Sequence, residues 1–307
     1  SVINHTIHAQ LRIQDSTYHK VEARNKELQK RINWMTAANI VGYGTAMTGL
    51  YNAWYKQYPQ STFHTFNDWG EWKQMDKVGH LYSAYIEGRG SMELWKWAGL
   101  EKRKRVWIGG LSGAAYQTVI ETLDGFSKQW GWSWGDFAAN VAGSGLLIAQ
   151  ELGWNEQRIS LKLSYHNSYY NDPQLANRST QLFGHHTSSR FLKDYNGQTY
   201  WASIALAPFL KNSTWPHWLN IGIGYGASGL MGGFENIATD PTGIIQFDRR
   251  DFPRYRQWYI APDINWEKIK TNKKGVRLLF TVLNAFKMPA PTFEYSKGKF
   301  KFHPLYF

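Results

Sequence analysis

Four segments in the first half of the chain combine apolar and small residues over lengths that suit helices. They are residues 32–55, 73–88, 106–123 and 133–152. The first carries no charged side chain, and at about 1.5 Å per residue it is long enough to cross a hydrocarbon layer. The pattern therefore predicts either a membrane span over residues 32–55 or a buried central helix of a bundle.

Two of these predicted helices carry small residues at a spacing that favours close packing. Gly109 and Gly113 are four residues apart, and so are Ala139 and Gly143. Small residues at this spacing form a helix face that a neighbouring helix can approach closely. We therefore expect the first half of the chain to form a helical bundle.

After residue 158 the pattern changes to alternation with a period of two, which is typical of strands. The segments are residues 158–166, 199–210, 218–228, 255–266 and 292–302. Residues 276–288 fit a strand and a short helix equally well. Turn-rich stretches separate these segments, as antiparallel sheets require.

The fold class predicted from these patterns is α+β, with three parts. Residues 1–19 are polar without a clear period and are expected to form an extended arm. Residues 20–155 are expected to form a membrane-associated bundle of about four helices. Residues 156–307 are expected to form an antiparallel β-rich portion or a partial barrel.

Composition and charge suggest which partners the chain meets. The chain has 16 Trp and 18 Tyr and a net charge of +12. Trp and Tyr collect at membrane interfaces, although a large soluble core or a carbohydrate-binding surface would also use them. The basic run Lys102, Arg103, Lys104 and Arg105 is expected to be a loop beside membrane helices that contacts lipid phosphates, or an ordinary solvated loop. Nucleic-acid motifs are absent from the sequence, which favours membrane lipids over nucleic acid as partner.

The chain contains no cysteine. Disulfides, thiolate zinc sites, a cysteine nucleophile and a lipid-modified cysteine are therefore excluded for this form of the chain. Its first residues lack the basic and apolar regions of a signal peptide. We expect a mature envelope protein whose targeting segment has been removed.

Ionisable residues recur at helical spacing inside the predicted helices. Asp76 and His80 are four residues apart and share a face, as do Asp136 and Asn140. The predicted polar cluster comprises Asp76, Lys77, His80, Glu121, Asp124, Asp136 and Asn140. It could pair internally between helices, bind a divalent metal, hold a phosphate through Lys77, or relay protons.

Candidate catalytic residues are Asp76, His80 and Asp136, although internal pairing between helices is the favoured interpretation. The adjacent His185 and His186 are a weaker metal-ligand candidate, because no carboxylate follows them at close spacing. The nucleophile elbow, the HExxH motif and the phosphate-binding loop are absent from the sequence.

Three motifs carry a resemblance to a known family: "DKVGH" at 76–80, "ETLDGFS" at 121–127 and "SWGDFAANVAGSG" at 133–145. They resemble the VanZ-like superfamily of small helical membrane proteins. More closely, the chain resembles the YfiM-like predicted periplasmic lipoproteins, in their long Bacteroidota form, through "KDYNGQTYW", "WLNIGIGYGASGLMGG" and "HPLYF". The resemblance implies a VanZ-like helical portion and an envelope location in the outer membrane. It implies no established activity.

Two functional hypotheses follow from these observations. The first is a non-enzymatic outer-membrane protein, an accessory subunit of protein assembly or export machinery, whose partners are membrane lipids and other outer-membrane proteins. The alternative is an envelope enzyme or a metal- or phosphate-binding protein that acts on a lipid or cell-wall precursor through Asp76, His80 and Asp136. The sequence assigns no cofactor.

Overall fold

The computed structural model describes residues 2–51, 59–210 and 214–307, which form an α+β fold. Its helices are α1 (Val2–Leu50), α2 (Met75–Trp97), α3 (Lys102–Gly125), α4 (Trp134–Gly153), α5 (Pro173–Phe183), α6 (Thr187–Lys193) and α7 (Lys274–Leu283). Its strands are β1 (Ile159–Tyr165), β2 (Gln198–Ala205), β3 (Leu219–Ser228), β4 (Ile237–Thr239), β5 (Ile245–Asp248), β6 (Tyr255–Ile264), β7 (Ala290–Ser296) and β8 (Lys299–Tyr306). The predicted fold class is thus confirmed at the level of helices combined with an antiparallel sheet.

The N-terminal part differs from the prediction. Helix α1 begins at Val2, so the stretch expected to be an extended arm is helical in the described residues. In the part of the chain that the structure describes, no helix has the length and apolar character needed to cross a membrane. The predicted span is therefore wrong over residues 32–51, because glycine, asparagine and threonine lower the hydropathy of α1; residues 52–55 lie outside the described residues.

Helices α2, α3 and α4 form a bundle whose contacts depend on glycine. An added Cβ at Gly109 would lie 2.7 Å from the Cα atom of Met92, and at Gly113 it would collide with the carbonyl oxygen of Ala84. Gly143 in α4 meets α2 in the same way. The glycines therefore let the three backbones approach closely, as their spacing predicts.

The basic run is not a loop. Lys102, Arg103, Lys104 and Arg105 form the first turn of α3, where four cations oppose the helix dipole. The turn is helical nonetheless, because Val106 is buried in the bundle core next to it and tertiary packing overrides local preference. The predicted lipid contact of these residues remains a prediction.

The six-stranded antiparallel sheet has the order β1-β2-β3-β6-β7-β8, and β4 and β5 form a separate hairpin. The outer edge of β1 is partly paired: the Leu163 amide donates to the Ala285 carbonyl oxygen at 3.1 Å, and the Lys287 amide donates to the Leu163 carbonyl oxygen at 2.9 Å. The ambiguous segment 276–288 includes most of α7, and the predicted strand 292–302 lies within the β7–β8 hairpin.

Helix α2 belongs to both halves of the fold. Its Tyr85 packs in the bundle core with Leu147, whereas its Met75 packs with Leu163 and Tyr200 of the sheet. The first turns of α2 therefore lie where the bundle and the sheet meet. This is where the predicted polar cluster is found.

Candidate functional site

An unusual turn positions the start of α2. Trp72, Lys73 and Gln74 are three consecutive non-glycine residues with positive φ, at 47°, 52° and 63°. Such backbone costs on the order of 1–3 kcal/mol per residue and persists only where its surroundings hold it. Here the Trp72 amide donates to the Gly233 carbonyl oxygen at 2.8 Å, and the Tyr225 hydroxyl donates to the Lys73 carbonyl oxygen.

Lys77 lies at the centre of the cluster and is only 6% exposed. Its Nζ atom is 2.6 Å from Asp68 Oδ2, 2.8 Å from Asp136 Oδ1 and 3.4 Å from Asp76 Oδ2. Burial alone would lower the pKa of Lys77, but the charges of Asp76 and Asp136 raise it above its ordinary value. The ammonium group is therefore charged and held by three carboxyl groups, and the predicted phosphate contact of Lys77 remains a prediction.

His80 faces Asp76, Asp136 and Glu121 without forming a hydrogen bond to any of them. Its Nε2 atom is 3.6 Å from Glu121 Oε1, 3.9 Å from Asp76 Oδ1 and 4.0 Å from Asp136 Oδ1. Its Nδ1 atom lies 3.1 Å from Asn140 Oδ1, and because an amide oxygen only accepts, Nδ1 carries the proton. Nε2 is thus directed at three carboxylate oxygens, all too distant for a hydrogen bond.

Two carboxyl groups of the cluster hold their protons at neutral pH. Burial, followed by the charge of Asp124, raises the pKa of Glu121 to about 8. Burial and the charge of Asp76 raise the pKa of Asp136 to about 9. Asp68 differs, since hydrogen bonds from Asp136, Lys77 and Ser133 outweigh its burial and hold its pKa below the usual value. Glu121 and Asp136 are therefore protonated at neutral pH, and a cation that binds them would displace these protons.

The sequence analysis did not identify three side chains of the site. Ser133 caps α4, accepting from the Asp136 amide at 3.0 Å, and its hydroxyl donates to Asp68 Oδ1 at 2.6 Å. The hydroxyl of the half-buried Tyr195 donates to Asp76 Oδ1 at 2.6 Å. The spacing Ser133-x-x-Asp136 is a capping signal that could have identified Ser133; Tyr195 and Asp68 carry no comparable signal.

Most of the predicted cluster lies together. Asp76, Lys77, His80, Glu121, Asp136 and Asn140 converge, and Asp124 acts on Glu121 by its charge. The basic run at the start of α3 lies roughly 28 Å along the helix from Glu121 at about 1.5 Å per residue.

Only one group of potential metal ligands occurs among the described residues. It consists of Asp76, His80 and Asp136, whose ligand atoms all lie within 4.8 Å of one another. His185 and His186 are exposed at the start of α6 and join no such group in the described part of the chain. The weaker histidine candidate therefore gains no support.

Comparison with known families points to the envelope. The family described as "Predicted periplasmic lipoprotein (DUF2279)" matches residues 65–150. That span contains α2, α3 and most of α4, together with every residue of the cluster except Tyr195. No curated protein and no solved structure matches the chain. The match supports an uncharacterised periplasmic family, and the similarity is located in the part that builds the site.

A cavity of about 550 Å³ opens beside the cluster. Three of its seven lining residues are aromatic: the lining comprises Thr65, Phe66, Asn67, Asp68, Trp69, Trp134 and Gly135. Asp68 belongs to this lining and also binds Lys77. The cavity therefore connects solvent with the acidic side of the cluster.

Proposed function

We propose that the chain is an envelope protein that binds a divalent cation through Asp76, His80 and Asp136, with Glu121 as a further ligand. The observation that carries this proposal is the position of His80 Nε2, which faces one oxygen of each carboxylate at 3.6–4.0 Å. These separations are too long for hydrogen bonds. They are close to the roughly 3.0–3.5 Å that separates two ligands of one cation at bond lengths of about 2.0–2.2 Å.

The chemistry of the ligands agrees with this proposal. One imidazole and three carboxylates suit Mn²⁺, Fe²⁺ or Zn²⁺. The Asn140 amide oxygen accepts from Nδ1 of His80, which leaves Nε2 free to ligate, as outer partners of metal-bound histidines do. Lys77 balances part of the remaining negative charge from Asp68.

The proposed location and substrate class rest on the resemblance to known families. A YfiM-like and VanZ-like character supports a place at the outer membrane, and a lipid or cell-wall precursor is the substrate class that we propose for that location. The aromatic cavity beside Asp68 would admit such a molecule to the site. A bound cation supplies Lewis-acid chemistry in sites of this type.

The first test is cation binding by the purified chain as a function of pH. Calorimetric titration with Mn²⁺ and Zn²⁺ should show one site. Its affinity should rise by about ten-fold or more per pH unit between pH 6 and 8, because Glu121 and Asp136, with pKa values of about 8 and 9, must release protons to become ligands. Each bound ion should therefore release protons to the buffer.

Matched variants distinguish this site from adventitious binding. His80→Gln and Asp76→Asn should each weaken cation binding at least ten-fold, whereas His185→Gln removes an exposed histidine and should leave it unchanged. Equal binding by the His80→Gln and His185→Gln proteins would contradict the proposal. Circular dichroism of each variant checks that it is folded.

A specific surface supports a second candidate, the accessory subunit of an outer-membrane assembly or export complex. Trp107, Leu111 and Val119 are exposed on α3 and fall on one face at intervals of four or eight residues. An apolar stripe at this spacing is the kind of surface that a partner helix covers. The observation supports a protein partner for the outer face of the bundle.

Pull-down from native envelopes followed by mass spectrometry tests the second candidate. The wild-type chain should retain the same partner in a stoichiometric complex, and Trp107→Ser with Leu111→Ser should lose it. The control pair Tyr169→Ser with Leu192→Ser also removes exposed apolar side chains, but away from α3. A chain that purifies alone, or equal recovery with both pairs, would rule out docking through this stripe.

A further inference from the structure

Two rows of exposed apolar side chains cross the sheet on one face. In the first row, Ile223 pairs with Ile260, Ile260 with Phe293, and Phe293 with Phe302. Side chains of directly paired residues point to the same face, so the four form one line across β3, β6, β7 and β8. Phe293 and Phe302 are each 56% exposed and Ile260 is 50% exposed.

The neighbouring row is aromatic. Tyr225 pairs with Trp258, Trp258 with Tyr295, and Tyr295 with Phe300. These residues lie two positions along each strand from the first row and therefore on the same face. Phe300 is 80% exposed and Trp258 is 50% exposed. The face thus changes from an aliphatic and phenylalanine row to a row rich in Tyr and Trp.

Basic residues follow at the same end of the strands. Arg256 lies two positions from Trp258 on β6, and its guanidinium donates to the Tyr225 hydroxyl and to Gln74. Lys297 lies in the two-residue turn between β7 and β8, where its Nζ atom is 3.9 Å from the centroid of the Tyr255 ring. Both are exposed. From Ile260 through Trp258 to Arg256, this face of β6 therefore runs from apolar through aromatic to basic over four residue steps, or roughly 13 Å at about 3.3 Å per residue.

The opposite face of the sheet is buried over the same strands. The alternate residues Trp201, Tyr259 and Glu294 point to the other face and are each 3% exposed or less. The sheet therefore buries its opposite face and leaves the apolar rows to solvent. Contiguous apolar area of this kind marks a contact surface.

From this order of chemistry we infer that the face of β3, β6, β7 and β8 docks on a lipid bilayer containing anionic phospholipid. The first row meets the acyl chains, the Tyr and Trp row lies at the interface, and Arg256 and Lys297 contact phosphate. Aromatic side chains prefer this interface, and cations beside it bind anionic headgroups. The inference rests on the envelope location proposed above and is independent of the cation site.

A protein partner or a second copy of the chain explains the arrangement less well. Protein interfaces place apolar residues at the centre with polar residues all around them. Here the three chemical types are ordered along one axis instead, which matches the depth profile of a membrane surface. The charge of the basic end also complements anionic lipid.

Flotation with lipid vesicles tests the inference on the full-length protein. The chain should float with vesicles of phosphatidylethanolamine and phosphatidylglycerol in a 3:1 ratio, and more weakly with vesicles of phosphatidylcholine alone. Phe293→Ser combined with Phe302→Ser should reduce partitioning at least about ten-fold, since two aromatic side chains leave the acyl region. Tyr169→Ser combined with Leu192→Ser serves as the control and should float like the wild type.

Depth measurements make the test sharper. The chain has no cysteine, so Ile260→Cys, Trp258→Cys and Lys297→Cys each provide one labelling position. Nitroxide labels on vesicle-bound protein should show depth decreasing in the order 260, 258, 297. Absence of flotation, or equal depth at all three positions, would overturn the inference.

Dimerisation of the chain through this face would give a different result in these experiments. If a second copy covers the face, label mobility falls as protein concentration rises without vesicles, and light scattering shows a dimer that the Phe293→Ser and Phe302→Ser pair removes. That result would also overturn the inference. A cation titration on the Phe293→Ser and Phe302→Ser protein separates the two proposals, because binding at His80 should remain unchanged.

Discussion

Replacing Lys77 by methionine should lower the free energy of unfolding by about 3–5 kcal/mol at pH 7.5. The ammonium group lies 2.6 Å from Asp68 and 2.8 Å from Asp136, and it is almost fully buried. Methionine has a similar length but leaves the Asp68 carboxylate, whose pKa lies below its usual value, without its cation. Urea denaturation followed by circular dichroism measures the change. The cost should shrink below pH 5, where protonation removes the uncompensated charges.

Lys96→Met is the matched control for this experiment. Lys96 is an exposed residue of the same helix, and it pairs with Glu93 at 3.1 Å. A pair of this kind contributes about 0.5 kcal/mol or less. If the Lys77→Met and Lys96→Met proteins unfold at the same urea concentration, Lys77 does not hold the cluster together.

Adding a single methyl group at Gly143 should cause the second large loss of stability. An added Cβ would collide with the Leu81 carbonyl oxygen and lie 3.2 Å from the Tyr85 amide nitrogen, both in the backbone of α2. The helices must separate to admit it, and overpacking of this kind costs about 1–3 kcal/mol. Gly143→Ala should therefore lower the thermal midpoint, measured by calorimetry.

Gly145→Ala provides the opposite expectation within the same helix. No atom lies within 4 Å of the position that its Cβ would occupy. Alanine is about 1 kcal/mol better than glycine inside a helix, so this variant should be as stable as the wild type or more stable. A Gly143→Ala protein that gains stability like Gly145→Ala would show that α2 and α4 do not pack as closely as described.

The sequence predicts the helices of the bundle and the main strands because their patterns are local. Glycine spacing identified Gly109, Gly113 and Gly143 as contact positions, since small residues matter wherever two helices meet. The prediction from local preference was wrong for Lys102–Arg105. Four cations suggested a loop there, but the packing of Val106 extends the helix through them.

The site was predictable where its residues share one helix face. Asp76 and His80, or Asp136 and Asn140, are related by a spacing that the sequence shows directly. Tyr195 is 119 residues from Asp76, and only the packing of the segment after α6 against α2 brings them together. Asp68 likewise reaches Lys77 through a turn with positive φ at Trp72, Lys73 and Gln74, which no sequence pattern indicates.

The pairing of residues 285–287 with β1 covers part of one sheet edge, and this matters for aggregation before the protein reaches a membrane or a partner. Exposed strand edges recruit strands from other molecules, and a sheet with an apolar face is especially prone to such growth. Here one edge is partly occupied by the Leu163 hydrogen bonds to Ala285 and Lys287. The other edge, β8, contains Pro304, which cannot donate a ladder hydrogen bond, and the exposed Lys299. Both edges of the sheet therefore disfavour pairing with strands of other chains, which its exposed apolar face would otherwise promote.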